Sequence, residues 1–421
     1  MAKTKKIAVI GFGNIGVGVV RLLYEKGIAG LELIRVVDID LKTKRPVELP
    51  ASYLSSDWRQ AVSDPKIDII VELIGGIEPA KSIQLEALKQ GKDVVTANKK
   101  LLAKEGESIF QEVASLKRRI GFRAAFVGAH SLIHELGLAG TGAKKFKRIY
   151  AILNGTSNYI LSSMSNEGMS FEQALRGAQV RGFAESDPSD DIDGKDTENK
   201  IRILLALISN SYRSAGNFPV EGIRDIVLQD IQYADELGYA VKLVGVIEQK
   251  DDVFDVAVHP ALVPKLSLLG SLQGAYNGTE LEDEYGTVSG LVSPGAGAYP
   301  TADAVVKDLL DIAEGRTMPM PNSAAPLTLG ATEAVSRRYY LRFSVVDQAG
   351  VLARITDIFW KYNISIAAVI QKEAVSEEFV PVVITTHLAK EGDLQAAIEK
   401  VDKLEVVKAR TRIIRLLSAD T

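Results

Sequence analysis

Through the first third of the chain, short continuous apolar runs alternate with segments of helical period, and this alternation predicts a parallel α/β domain. Residues 7–10, IAVI, are wholly apolar and of strand length, as a strand buried on both faces requires, and VGVVRLLYEKG after the next turn reads as a helix. LELIRVVDID and IDIIVELIGG repeat the strand signal, EPAKSIQLEALKQGK is an amphipathic helix, and DVVTANKKLLAKEG supplies strand, loop and helix once more. From about residue 147 the pattern changes, and RIYAILNGTSNYILSSM predicts a strand and a polar turn feeding a helix. Another helix ends near Arg181. The polar run that follows opens into IRILLALIS, where Ile201, Leu204, Leu205 and Ile208 form the apolar stripe of a core-packed helix.

Residues 250–290 alternate short apolar runs with Gly and Asp, the pattern of a sheet exposed on one side, and SPGAGAYPTADAVVKDLLDIAEG predicts a Gly-rich turn and a helix capped near Thr301. After the proline-rich TMPMPNSAAP, the last stretch of about eighty residues runs strand, helix from Gly350, strand, strand, helix, strand, a βαββαβ unit of ferredoxin-like type. The expected organisation is a dinucleotide-binding domain over 1–146, completed by about 300–320; an α+β substrate and dimerisation domain over 147–299; a linker over 321–337; and a small domain over 338–421.

Composition narrows the class. The chain has 421 residues, 46% hydrophobic and 25% charged, with a formal net charge of -4, which suits a globular protein with two or three cores and speaks against nucleic acid as a partner. It has no cysteine, which excludes disulfides, thiolate nucleophiles and Cys-ligated metals and agrees with a reducing compartment. Lys3, Lys5 and Lys6 lead into an apolar run too short for a signal peptide or a membrane span, so a cytoplasmic protein with no membrane partner is expected.

Candidate chemistry gathers at two places. Directly after IAVI comes GFGNIG, in which Gly11, Gly13 and Gly16 fit a dinucleotide-binding turn, followed by a helix and a second strand at the right distance. Asp38, near the end of that second strand, suits the ribose hydroxyls and favours NAD; Lys42, Lys44 and Arg45 beyond it could hold a 2'-phosphate or be merely solvated. Ile74, Gly75 and Gly76 end the next strand on the edge where such sheets bind cofactor, and Lys99 falls in the loop after the one following, either as a site residue or as a surface lysine near a helix start. The second place is AQVRGFAESDPSDDIDGKDTENK, residues 178–200. Asp196 and Lys200 share one helix face, as a structural ion pair or as an acid beside a positioned proton donor. Glu185, Asp187, Asp190, Asp191 and Asp193 crowd the same run, but their spacing does not match a twelve-residue calcium loop, so a site for a substrate ammonium explains them better. NGTSN upstream is dense in small donors and either binds a polar substrate or caps a helix, for which Thr156 or Ser157 suffices.

At GFAESDPSDDIDGKDTENK the chain closely resembles the signature of homoserine dehydrogenases, and GFGNIG, GGIEPA, TANKKLLA, NGTSNYIL and PGAGAYPTA resemble further stretches of that family in the same order. The last eighty residues are similar to the ACT regulatory domain of many bacterial members. The resemblance implies a Rossmann-type cofactor domain and NAD- or NADP-dependent interconversion of L-homoserine and L-aspartate 4-semialdehyde, in threonine and methionine biosynthesis, by a homodimer or homotetramer. It implies that Lys200 protonates the substrate oxygen, that Lys99 helps polarise the carbonyl, and that Glu185 and Asp196 bind homoserine. Gly11, Phe12, Gly13, Asn14, Ile15 and Gly16 would cradle the cofactor phosphates, with Gly75, Gly182 and Gly297 towards the nicotinamide. The ACT similarity implies an amino-acid effector, most plausibly threonine, bound between paired domains near Asp347, Gly350 and Asn363; Gln348-Ala349-Gly350 replaces the usual Pro-Gly turn there.

One segment departs from the family. In RAAFVGAHSLI, Arg123 stands where the family has a glutamate that joins backbone carbonyls, here those of Phe126, Gly128 and His130, around a sodium ion, and His130-Ser131 replaces Ile-Pro. An arginine cannot ligate a cation, so no metal is expected. His130 reads as loop filling or as a residue recruited near substrate, and His134, His259 and His387 receive no role. The altered loop keeps two alternatives open, a non-catalytic amino-acid sensor and a dehydrogenase of another small semialdehyde.

Overall fold

The computed structural model describes residues 4–126, 146–213, 216–295, 298–316, 319–321, 323–372 and 379–417. The chain forms two compact units, one of Met1–Arg148, Glu198–Asn217 and Leu281–Thr328, the other of Ile149–Thr197, Phe218–Glu280 and Leu329–Thr421.

The first unit holds a six-stranded parallel sheet of β1 (Lys5–Ile10), β2 (Leu31–Val37), β3 (Leu54–Ser55), β4 (Ile69–Glu72), β5 (Asp93–Thr96) and β6 (Ile120–Gly121). Its order is β3-β2-β1-β4-β5-β6, the order of a Rossmann fold. The apolar runs form strands because each is covered on both faces. Ile7, Val9, Ile69 and Val71 are sealed in one core together with Ala302, Val305, Leu309 and Ile312 from the helix Ala298–Ala313. That helix starts before Thr301, which lies in its first turn and is not its cap. The helix after the glycine turn runs from Asn14 to Val20 and widens to π geometry over Arg21–Lys26, ending at Gly27 with φ 69°.

The second unit is built on a mixed sheet. Its strands are β7 (Phe146–Ile152, from Ile149 on), β8 (Tyr239–Lys250), β9 (Val253–Pro264) and β10 (Tyr276–Asp283, as far as Glu280). Asp283 accepts the N–H groups of Tyr285 and Thr287 at 3.0 and 2.8 Å and so shapes the turn into β11 (Val288–Pro294). Beyond the short β12 (Thr328–Leu329) come β13 (Ser336–Val345), β14 (Ile366–Gln371), β15 (Val380–Thr386), β16 (Ala389–Lys390) and β17 (Val407–Leu416). The order β10-β7-β8-β9-β17-β13-β15-β14 makes one continuous sheet. β8 and β9 form a long antiparallel hairpin, and β9 pairs in parallel with β17 through Arg415 opposite Ala261.

The one-sided exposure expected over 250–290 fails for β9, which is buried almost throughout. β8 pairs with it along its whole length and β17 with Ala261 and Leu262, and the unbroken buried run from Val256 to Val263 shows that both of its faces are packed there. β17-β13-β15-β14 with the helices Val351–Lys361 and Glu391–Val401 is the expected βαββαβ domain, its core made by Leu341, Phe343, Ile355, Phe359, Ile384 and Leu394. Gly350, at φ 88°, precedes the first of those helices. Among the described residues no helix is long and apolar enough to cross a membrane.

Candidate active site

The carboxyl ends of β1, β2, β4 and β5 deliver Gly11, Asp38, Gly75 and Lys99 to one edge of the parallel sheet. Gly11 has φ 107°, and a Cβ there would come 2.7 Å from the Leu73 carbonyl; a Cβ on Gly16 would meet the Gly11 oxygen at 2.0 Å. Only glycine permits so tight a turn with the helix so close, which is the backbone a pyrophosphate needs at a helix N-terminus. Gly13 and Asn14 are exposed and Ile15 half-buried, while the buried Phe12 donates its N–H to Asp38 Oδ2 at 2.6 Å. Asp38 also accepts the Asp40 N–H through Oδ1. The acid assigned to ribose therefore also fastens the glycine turn to the end of β2. Arg45 is occupied as well, donating to the carbonyls of Phe12, Thr43 and Asp40 at 2.8, 2.8 and 3.2 Å. Lys42, Lys44 and Arg45 line an open pocket of about 300 Å³ beside Phe12.

Lys99 is the first residue of the helix Lys99–Ser115, so it sits on a helical turn and not in the preceding loop. Asn98 caps that helix by accepting the Leu101 N–H at 3.0 Å, and its amide donates to the Gly76 carbonyl at 2.7 Å. Behind both lies Glu72, fully buried at the end of β4. It accepts from Ile74 N–H, Gln84 and Thr96, and holds the Gly75 loop and the start of the Lys99 helix together. Glu72 is no candidate on local pattern, and the one signal for it is a lone acid inside the apolar IDIIVELIGG.

Asp196 and Lys200 stand one turn apart on the helix Lys195–Ile208, at 4% and 7% exposure. Ile201, Leu204 and Leu205 are buried as the stripe predicted, and Ile203 and Leu207 join them, so more than one face of the helix is covered. The cap of the helix Gly155–Glu167 is Asn154, not Thr156 or Ser157. Asn154 Oδ1 accepts the Ser157 N–H at 2.7 Å, leaving the hydroxyls of Thr156 and Ser157 to donate to the carbonyls of Phe183 and Asp191. The NGTSN turn thus organises the acidic run. Its Asn154 amide nitrogen donates both to Asp191 Oδ1, at 2.7 Å, and to Asp196 Oδ2, at 2.9 Å. Gly182, at φ 74°, reverses the chain after the helix Phe171–Val180, and Glu185 beyond it is exposed. Gly182, Glu185 and Asp196 belong to the second unit, and Lys99 and Lys200 to the first. Gly297 lies outside the described residues.

The pattern described as homoserine dehydrogenase matches residues 132–310, that of the homoserine dehydrogenase NAD-binding domain residues 11–123, and that of the ACT domain residues 339–406. The homoserine dehydrogenase of Synechocystis is 35% identical over 435 residues, covering 99% of this chain and 100% of that protein. That of Neisseria gonorrhoeae is 34% identical, covering 99% of each. The chain belongs to the homoserine dehydrogenase family. A crystal structure of a homoserine dehydrogenase from Thiobacillus denitrificans superposes with a TM-score of 0.90 at 33% identity over 99% of both chains. This homoserine dehydrogenase is an oxidoreductase with a Rossmann-like NAD-binding domain and a C-terminal ACT domain, so the reading as a non-catalytic sensor falls away.

Arg123 of this homoserine dehydrogenase turns to the helix Ala298–Ala313. Its guanidinium pairs with Asp308 at 2.5 Å and with Asp311 at 2.6 Å, and its N–H donates to Asp308 at 2.9 Å. Burial pushes the Asp308 carboxyl up to about 7, with Arg123 pulling the other way. A cationic side chain committed to two acids does not fit a metal-ligand position. Gly128, His130, Ser131 and His134 lie outside the described residues. In the ACT domain, Asp347 and Gly350 precede the helix Val351–Lys361 and Asn363 follows it, so the three effector candidates stand at opposite ends of an eleven-residue helix. That is a separation of about 16 Å, too far for one small amino acid to bridge within one chain.

Proposed function

We propose that the enzyme interconverts L-homoserine and L-aspartate 4-semialdehyde with a nicotinamide cofactor, serving threonine and methionine biosynthesis. The cofactor exchanges hydride with the carbon that carries the substrate oxygen. Hydride arrival at the aldehyde builds negative charge on that oxygen, and Lys200 would stabilise the charge and quench it with a proton, with Lys99 polarising the carbonyl. Glu185 and Asp196 would hold the substrate ammonium. The observation that carries this reading is the interior helix placing Asp196 and Lys200 one turn apart, where partial burial strengthens both roles.

Gly11, Phe12, Gly13, Asn14, Ile15 and Gly16 would hold the pyrophosphate, with Gly75, Gly182 and Gly297 nearer the nicotinamide. NAD is the preferred partner in this reading. Asp38 would meet the ribose hydroxyls, and Arg45, spent on three carbonyls, is a brace for the loop more than a phosphate receptor. No sodium would be needed, because Arg123, which stands where the family has its ligating glutamate, is a cation committed to Asp308 and Asp311. The effector is threonine, and the distance between Gly350 and Asn363 supports a site completed by a second copy, hence a dimer or tetramer.

One assay tests these points. Reduced-cofactor absorbance is followed with homoserine and NAD, then NADP, with and without sodium and threonine. Turnover is expected with both cofactors, faster with NAD, unchanged by sodium and inhibited by threonine, and Lys200→Ala should lower kcat by about 10²–10⁴-fold. Absence of turnover with either cofactor would sink the reaction, and strong sodium activation would sink the internal-cation reading.

A further inference from the structure

We propose that Asn154 is a positioning residue of the substrate site, a neutral amide that spends both of its N–H donors on the carboxylates of Asp191 and Asp196 and so fixes where those acids point. The proposal rests on the reading above, in which Asp196 binds the substrate ammonium.

The orientation of the amide follows from its own bonds. Oδ1 accepts the Ser157 N–H at 2.7 Å, which leaves Nδ2 facing the two acids, and each carboxylate offers that nitrogen an acceptor, at 2.7 and 2.9 Å. A flipped amide would set an oxygen against two carboxylates and a donor against a donor. Asn154 is 4% exposed and Asp196 also 4%, so their bond is made in the interior, where such bonds are strongest, while Asp191 is half-buried. The backbone of the acidic run is pinned to the same turn by Ser157 Oγ on the Asp191 carbonyl, at 2.9 Å, and Thr156 Oγ1 on the Phe183 carbonyl, at 2.6 Å. Backbone and side chains of the run are therefore held from one place.

Helix capping does not account for this residue. Ser, Thr, Asp and Asn all cap well, since each needs one oxygen for the N–H of the third helical residue. Only asparagine adds two donors on the same short side chain, and both are used here on residues 37 and 42 positions away. Serine would keep the cap and lose the donors. Aspartate would keep the cap and set a third negative charge against the other two.

The test compares the full-length enzyme with Asn154→Ser and Asn154→Asp, measuring kcat, KM for homoserine, KM for the cofactor and thermal melting. The cap survives in both variants, so both should melt as folded proteins. The expected result is a fall of about 100-fold in kcat/KM for homoserine, carried mostly by KM for homoserine, with KM for the cofactor unchanged and a larger loss in Asn154→Asp. A KM for homoserine equal to that of the unmodified enzyme in a folded variant overturns the proposal, as does an equal rise in both KM values, which would mark a general loosening. No turnover by the unmodified enzyme overturns the underlying reaction and this proposal together, so the two failures are told apart by the control.

Discussion

In β1, β4 and β5 the buried positions include Ile7, Val9, Ile69, Ile70, Val94 and Val95, with the polar Glu72, Asp93 and Thr96 only at strand ends, whereas β13, β17 and their neighbours bury Arg337, Tyr339, Tyr340 and Arg415. The cofactor sheet is filled by transfer of apolar side chains from water. Within the second unit, the strands of the ACT domain are joined to the rest by charge pairs. Arg342 donates to the fully buried Asp230 at 2.6 Å, and Tyr340 shares that acid at 3.1 Å. Arg415 bridges Glu391 at 2.7 Å and Glu221 at 2.8 Å, and Arg337 pairs with Asp255. His259 sits among them; burial, then the nearby Arg415 and Arg337, hold its imidazole well below the usual range, and so neutral. Apolar burial is forgiving and non-directional. A buried ion pair instead demands its partner, since either charge left alone in the interior is costly.

That contrast sets the expected sizes of perturbation. Asp230→Ala leaves Arg342 and the Tyr340 hydroxyl buried without their acceptor, and the loss in urea unfolding should be about 3–5 kcal/mol; replacing Arg342 by Met in addition should recover part of it. A loss below ~1 kcal/mol would mean the seam is wet, and the comparison would collapse.

Lys242 offers a pH-dependent version. It is buried on β8, donates to Asn158 Oδ1 at 2.9 Å and to the Leu272 carbonyl, and burial pulls its ammonium from 10.5 down to about 8. The folded state therefore binds fewer protons than the unfolded chain between those values. Its burial penalty is present in full below pH 8 and fades as pH rises towards 10.5. Measured against Lys242→Met, the unmodified protein should gain up to ~3 kcal/mol of relative stability across that window. A flat difference would mean that Lys242 keeps its ordinary affinity for protons. The smallest effect belongs to the cofactor sheet. Ile69→Val removes one methylene from a fully buried site and should cost about 1 kcal/mol by the same denaturation, with no dependence on pH.

The two regions also differ in how far they could be read beforehand. IAVI, GFGNIG and the following helix were legible because periodicity, a glycine turn and strand length are local properties. So was the shared helix of Asp196 and Lys200. Glu72 escapes a local reading because its partners, Gln84 and Thr96, are brought to it by the helix Ala80–Lys89 and by the neighbouring strand β5. Asn154 is not singled out within NGTSN, since a local reading finds Thr156 or Ser157 sufficient as a cap and cannot see two carboxylates arriving from far along the chain. The one-sided sheet expected over β9 fails for a related reason, as no periodicity announces that β17, about 150 positions later in the chain, will pair with its C-terminal end.

The sequence by itself determined the parallel cofactor sheet, the glycine turn, the ferredoxin-like βαββαβ unit and the helix that carries Asp196 and Lys200, because these follow from the apolar period and from backbone freedom over a few neighbouring residues. Only the tertiary structure decided that Arg123 meets Asp308, that Arg415 meets Glu221 across 194 positions, and that one asparagine holds two acids. Those choices depend on which strands lie side by side. Hydrogen bonds and ion pairs act over a few ångströms and are specific to direction, so they become determinate only after the fold has brought distant residues into reach.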